Sequence, residues 1–140
     1  VVCYYAYNAP IPKVRAWLKK ESYENYYGHY IKYAMRNAMD IATTGCSANV
    51  KLSDDKKTIV SARIAYGVAA PVPIRAKSAE EFLNGKEATA ENIAAFAKKA
   101  LDDVNPRTSW RASKELRLQL IEELSKRAMT EAVRLAGGEI

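Results

Sequence analysis

The 140-residue chain has little of what most active sites are built from. It carries one histidine, His29, and two cysteines, Cys3 and Cys46. A single imidazole excludes histidine metal clusters and histidine relays, and two thiols give no zinc-ligand spacing. Two cysteines also fall short of a disulfide framework, and no signal peptide is visible, so a cytoplasmic protein with reduced thiols is expected. The six glycines are scattered as Gly28, Gly45, Gly67, Gly85, Gly137 and Gly138. No glycine-rich loop, Walker-type lysine or dinucleotide fingerprint is formed, so the chain lacks the backbone cradle that a pyrophosphate needs. Apolar runs such as Val68-Ala69-Ala70-Pro71-Val72 are short, which predicts no membrane span.

What is present is an ordinary globular composition, 49% hydrophobic and 27% charged. The length is that of one domain with a real core, and too small for a dinucleotide fold plus a substrate domain. Lys and Arg number 22 against 16 Asp and Glu, a net charge of +6. That balance invites a nucleic-acid reading, and equally a basic surface facing an acidic partner.

Three zones differ in texture. Residues 1–28 are tyrosine-rich and irregular, with a candidate strand at 1–7 and a candidate short basic helix at 14–20. Residues 30–76 read as β. A loose period-two pattern runs from Tyr30 to Arg36, a small and β-branched run covers 41–52, and Asp54-Asp55-Lys56-Lys57 forms a polar turn. Residues 58–68 then alternate, with Ile59, Ser61, Arg63 and Ala65 on one side and Val60, Ala62, Ile64 and Tyr66 on the other. Pro71 and Pro73 end that strand, giving three antiparallel strands in expectation.

Residues 78–136 read as helical. Ser78 and Glu81 fit a capping box, with Gly85 as the left-handed stop. Thr89 caps the next helix, whose stripe is Ile93, Phe96, Ala97, Ala100, Leu101 and Val104 before Asn105-Pro106 ends it. Ser113 caps the last, with a stripe of Leu116, Leu120, Leu124, Ala128 and Leu135 flanked by Ile121 and Val133, and Gly137-Gly138 stopping it. Strands first and helices after predict an α+β fold, with about three helices on one face of an antiparallel sheet.

Candidate chemistry is sparse. Cys46 has no base beside it in sequence and reads as buried and inert, and His29 reads as a packed or exposed histidine at a strand start. Asp54-Asp55 and Asp102-Asp103 read as solvated surface. No catalytic residue and no metal ligand emerges. Two segments are denser. Lys32, Arg36 and Asp40 fall within nine residues, and in a strand Lys32 and Arg36 share a face. The plain reading is an exposed face with an Arg36–Asp40 ion pair; the alternative is a cation pair answered by an anion. The segment from Arg107 to Arg117 flanks Trp110 with arginines. It fits a stacking surface for a base, an interface anchor, or a helix entry with Trp110 filling the core, and the last is preferred.

Three motifs, Arg36-Asn37-Ala38-Met39-Asp40-Ile41-Ala42-Thr43, Ala62-Arg63-Ile64-Ala65-Tyr66-Gly67-Val68-Ala69-Ala70-Pro71-Val72-Pro73-Ile74-Arg75-Ala76 and Trp110-Arg111-Ala112-Ser113-Lys114-Glu115-Leu116-Arg117, occur in this order. Together they resemble the C-terminal domain of the FAD-binding subunit of bacterial xanthine dehydrogenases. The wider group is the molybdenum hydroxylases, including the carbon monoxide dehydrogenase flavoprotein. The resemblance covers residues 28–140, while residues 1–27 match poorly and are read as a remnant of the preceding FAD domain.

The resemblance implies three or four antiparallel strands with three helices. It implies FAD as the cofactor of the intact subunit, held mainly by the preceding FAD-binding domain and not retained by this chain alone. It also implies partners: a molybdenum-cofactor subunit and an iron–sulfur subunit, with electrons passing through FAD to NAD. Lys32 matches a family lysine near the isoalloxazine ring, and Arg36 and Asp40 fall in the motif beside it, so these three are the expected cofactor-binding residues. The competing readings are a basic anion- or nucleic-acid-binding module, disfavoured because charges alternate along the last helix from Arg117 to Arg134, and a purely structural subunit-docking domain.

Overall fold

In the computed structural model, residues 25–140 are described; the candidate strand at 1–7 and helix at 14–20 lie outside them. Strand β1 (Tyr27–Tyr33) pairs antiparallel with β2 (Thr44–Leu52), β2 with β3 (Ile59–Gly67), and β3 with the two-residue β4 (Ile74–Arg75), in the order β1-β2-β3-β4. Helix α1 (Lys77–Leu83), helix α2 (Ala90–Lys99), a 3-10 turn (Ala100–Asp103) and helix α3 (Lys114–Leu135) follow. The α+β order holds, and β4 adds a fourth strand to the three expected from the pattern. Among the described residues no helix is long and apolar enough to cross a membrane.

Helix α3 packs on β1 and β2, and α1 on β3. The core is built by alternation. Cys46, Ala48, Val50 and Leu52 of β2 and Ala62, Ile64 and Tyr66 of β3 are buried towards Leu83, Phe96, Ile121, Met129 and Val133. The expected alternation fails at the start of β3, where Ile59 is buried and Val60 is exposed. Lys51 opposes Ser61 but Leu52 opposes Ile59, so Val60 is the extra residue of a bulge, which inverts the phase.

Helix ends are set by local chemistry. Thr89 Oγ1 accepts from Asn92 N at 3.3 Å and Ser113 Oγ from Leu116 N at 3.2 Å, as expected. Gly85 and Gly137 take φ of +82° and +88° after α1 and α3. The Ser78–Glu81 capping box does not form, because α1 starts at Lys77 and places Ser78 inside its first turn. Asp103 does the capping instead: its Oδ2 accepts the Ser78 N–H at 2.9 Å and the Ser78 hydroxyl at 2.5 Å. Asp103 is therefore a half-buried fold contact rather than solvated surface.

The stripe of α3 is rotated from its expected place. Ile121, Leu124, Ala128 and Val133 are buried, but Leu116 and Leu135 at the ends are exposed, and Arg117, Ser125, Met129 and Ala132 join the buried side. Ser125 tolerates burial because its hydroxyl meets Tyr66 Oη at 2.6 Å and donates to Ile121 O. Arg117, 2% exposed, is not part of a solvated face, and Trp110, 85% exposed, does not fill the core.

Candidate functional site

The connection from β1 to β2 projects from one end of the sheet and is closed at its base by Thr43 N–H donating to Tyr33 O at 2.8 Å. Asp40 organises it. Its Oδ2 accepts the N–H groups of Met35 at 2.9 Å and Arg36 at 3.0 Å, and its carbonyl accepts Lys32 Nζ at 2.6 Å. A short carboxylate that bonds its own turn competes with strand pairing, which is why β1 stops at Tyr33. Arg36 Nη2 donates to Met39 O at 3.0 Å, tying down a methionine at φ +50°, a conformation non-glycine residues seldom adopt.

Lys32, Arg36 and Asp40 are thus brought together, but not as the spacing implied. Arg36 lies beyond the strand, so it shares no strand face with Lys32. The plain Arg36–Asp40 ion pair is also replaced: the guanidinium takes a carbonyl and the carboxylate takes two amides. The consequence is electrostatic. Elsewhere the surface cations Lys99, Lys126, Arg127 and Arg134 each face a carboxylate within 3.0 Å. Lys32 is held by a neutral carbonyl, and among the described residues it forms no ion pair with a carboxylate.

Beside Lys32 the sheet has a strip free of Cβ atoms. In register, Lys32 stands opposite Gly45 and Gly45 opposite Gly67. A Cβ at Gly45 would lie 2.9 Å from Tyr30 Oη, so Tyr30 rests over the glycine backbone. Glycine inside a strand marks a place where another group approaches the backbone closely. Around this strip Tyr30, Tyr33, Met35, Ile41 and Met39 are exposed, Met39 to 95%. These five apolar side chains escaped the sequence reading, which took the segment for its charges. The signal was there, since Met35, Met39 and Ile41 interrupt a run of polar loop residues.

The segment entering α3 is the second cluster. Buried Arg117 donates through Nη1 to Arg107 O and through Nη2 to Ser109 Oγ at 2.8 Å, while Nε has no partner among the described residues. Burial, and then the charges of Arg107 and Arg111, lower its pKa from the ordinary value. Arg111 lies over the exposed Trp110 ring, 4.2 Å from its centroid. The remaining candidates are inert. Burial pushes the Cys46 thiol up to about 12, against a smaller opposing effect of Ser125, and the register pairs Cys46 with Ile31 rather than His29. Among the described residues no group of three His, Cys, Asp or Glu side chains is placed to hold a metal ion.

The CO dehydrogenase flavoprotein C-terminal domain family matches residues 29–132. The xanthine dehydrogenase FAD-binding subunit of Escherichia coli O157:H7 is 46% identical over 111 residues, covering 79% of this chain and 37% of that protein. This chain therefore spans little more than a third of its curated relative. Among solved structures, quinoline 2-oxidoreductase from Pseudomonas putida 86 superposes with a TM-score of 0.73 at 28% identity, over 79% of this chain and 38% of that one. Carbon monoxide dehydrogenase from Hydrogenophaga pseudoflava superposes with a TM-score of 0.72 at 28% identity, over 81% of this chain and 38% of that one.

Proposed function

The chain belongs to the CO dehydrogenase flavoprotein C-terminal domain family, and from that premise we propose that it serves as the C-terminal domain of the FAD-binding subunit of a xanthine dehydrogenase-type molybdenum hydroxylase. On this reading residues 28–140 form that domain and residues 1–27 belong with the preceding one. The observation that carries the proposal is Lys32, exposed near the end of β1 and tethered by the Asp40 carbonyl.

The residues fit one end of FAD and not the other. Among the described residues no glycine-rich turn offers amides to a pyrophosphate, so that end belongs to the preceding domain. The exposed, positioned cation of Lys32 suits the edge of a flat ring, with the Tyr30 ring lying over Gly45 beside it. FAD would supply two-electron chemistry between the iron–sulfur and molybdenum partner subunits and NAD. The protein's share is to place positive charge where a reduced ring becomes negative. Lys32 Nζ does this, and Asp40 and Arg36 are positioning residues, fixing the loop through Met35 N, Arg36 N and Met39 O. The apolar fringe around Met35, Met39 and Ile41 closes the pocket and meets the neighbouring domain of a cytoplasmic complex.

The test is Lys32→Ala in the intact FAD-binding subunit. Removing a cation that favours the reduced form makes the flavin midpoint potential more negative, by about 30 mV for about 1.4 kcal/mol in a two-electron couple, and slows NADH formation. An unchanged potential with unchanged kinetics removes Lys32 from the site and leaves docking as the domain's role. Stoichiometric, tight FAD binding by the 140-residue chain alone would overturn the division of the cofactor between domains.

A further inference from the structure

The net charge of +6 is unevenly placed. Residues 105–117 hold four cations, Arg107, Arg111, Lys114 and Arg117, against the single carboxylate of Glu115, whereas residues 118–135 hold three of each sign. In that second stretch every cation is paired, Lys126 with Glu122, Arg127 with Glu123 and Arg134 with Glu131. In the first, no cation forms an ion pair with a carboxylate among the described residues. Lys114 Nζ bonds Asn105 Oδ1 at 2.9 Å, Arg111 lies on Trp110, and Arg117 holds a carbonyl and a hydroxyl.

A groove of about 660 Å³ adjoins this cluster, lined by Val68, Pro71, Val72, Pro73 and Pro106, with Arg107 at its rim. Its two walls are tied by Asn105 N–H donating to Ala69 O at 3.0 Å. Val68 sits at φ +64° in the wall, a strained conformation for a β-branched residue, and strain of this kind gathers at ligand clamps. Prolines 71, 73 and 106 carry no N–H, so the walls offer few amides for strand pairing and would read an occupant through its side chains. Arg117 donates to the Arg107 carbonyl and the Ser109 hydroxyl, which fixes the backbone at the rim.

We infer that this groove and its arginine rim form a docking site for an extended acidic segment of a partner protein. Aliphatic side chains of that segment fill the Val68–Val72 trough, its carboxylates meet Arg107 and Arg111, and Trp110 is covered. The unanswered positive charge selects an acidic occupant, and the apolar trough selects a protein over a nucleic acid, whose phosphates have no use for valine and proline walls. The inference stands on the charge and shape of this region and does not depend on the flavin reading.

The experiment uses the 140-residue chain with Trp17→Phe, which leaves Trp110 as the only tryptophan. Its emission is titrated with a short peptide alternating glutamate and leucine, with the glutamine–leucine counterpart, and with a short oligothymidylate. The expected result is a shift with the acidic peptide alone. Its affinity falls about tenfold between about 50 and about 300 mM salt, and about tenfold again in Arg107→Glu or Arg111→Glu. Arg107 is an exposed group lining the groove and Arg111 a half-buried one lying on Trp110, and circular dichroism checks that each variant stays folded. No shift up to about 1 mM acidic peptide, equal binding of the glutamine peptide, indifference to both charge reversals, or tighter binding of the oligonucleotide would each overturn it.

Discussion

Glu80 and Arg117 are both buried charges, and the fold treats them in opposite ways. Glu80 sits at the β3–β4 end of the sheet, where its Oε1 accepts Ile64 N–H at 2.9 Å and Arg75 Nε at 3.0 Å, and its Oε2 accepts Arg75 Nη2 at 2.6 Å. Arg117 sits at the entry to α3 with two neutral acceptors, an Nε without a partner among the described residues, and the charges of Arg107 and Arg111 nearby. A buried charge that is fully answered closes a structure, since removing its partner strands the other group. A buried charge answered only by neutral acceptors holds backbone in place while leaving its own field open. The β4–α1 end is therefore finished, and the α3 entry keeps a buried charge with no carboxylate partner among the described residues, as the proposed docking site requires.

The largest expected effect tests the finished end. Glu80→Ala leaves a buried Ile64 amide without its acceptor and takes the carboxylate away from the partly buried Arg75, and should destabilise the chain by about 3 kcal/mol in urea unfolding. Arg75 is about one-third exposed, which keeps the figure below that of a fully buried pair. A loss under about 1 kcal/mol would show that Glu80 closes nothing. Next comes Arg117→Met, which keeps the volume, gives up two bonds and relieves a buried charge. The net loss should be about 1 kcal/mol, with faster amide exchange at Ser109. If Arg117→Met costs as much as Glu80→Ala, the contrast between the two ends collapses.

The same contrast marks what could be read in the sequence. Caps at Thr89 and Ser113 and the stops at Gly85 and Gly137 were legible because each rests on one residue's local preference. Lys32, Arg36 and Asp40 were singled out together, and the structure joins Lys32 near the end of β1 to Arg36 and Asp40 in the loop that follows, without testing their role. Their bonding was not legible, since it depends on which backbone atoms a turn exposes. Glu80 drew no reading of its own in the sequence, because its inward role depends on Ile64 sixteen positions earlier. Arg117 and Trp110 were read in the wrong order of burial. Hydrophobicity ranks tryptophan inside and arginine outside, and only the tertiary need to hold Arg107 and Ser109 reverses that ranking. The inverted phase at Val60 likewise comes from a bulge that no single strand announces.

At the open β1 end the stability effects shrink. Asp40→Ala frees the Met35 and Arg36 amides in an exposed loop, where water replaces the lost acceptor, so the loss should be about 1 kcal/mol or less. Hydrogen exchange at those two amides should accelerate clearly. Asp40→Asn, which keeps an acceptor oxygen, should restore most of the protection; failure to do so would mean that charge and not geometry holds the turn.

Lys32 completes the comparison with the smallest stability effect and the largest functional one. Its ammonium is exposed and bonded to one carbonyl, so Lys32→Met should change the unfolding free energy by no more than about 0.5 kcal/mol. Lys32 is held at 2.6 Å from the Asp40 carbonyl, and on the proposed function its positive charge serves the flavin rather than the fold. The flavin potential of the intact subunit should then move while the melting of this chain does not. If Lys32→Met instead unfolds the chain and leaves the potential untouched, the lysine is a structural tether. The open end of the sheet would then be as closed as the end that Glu80 seals.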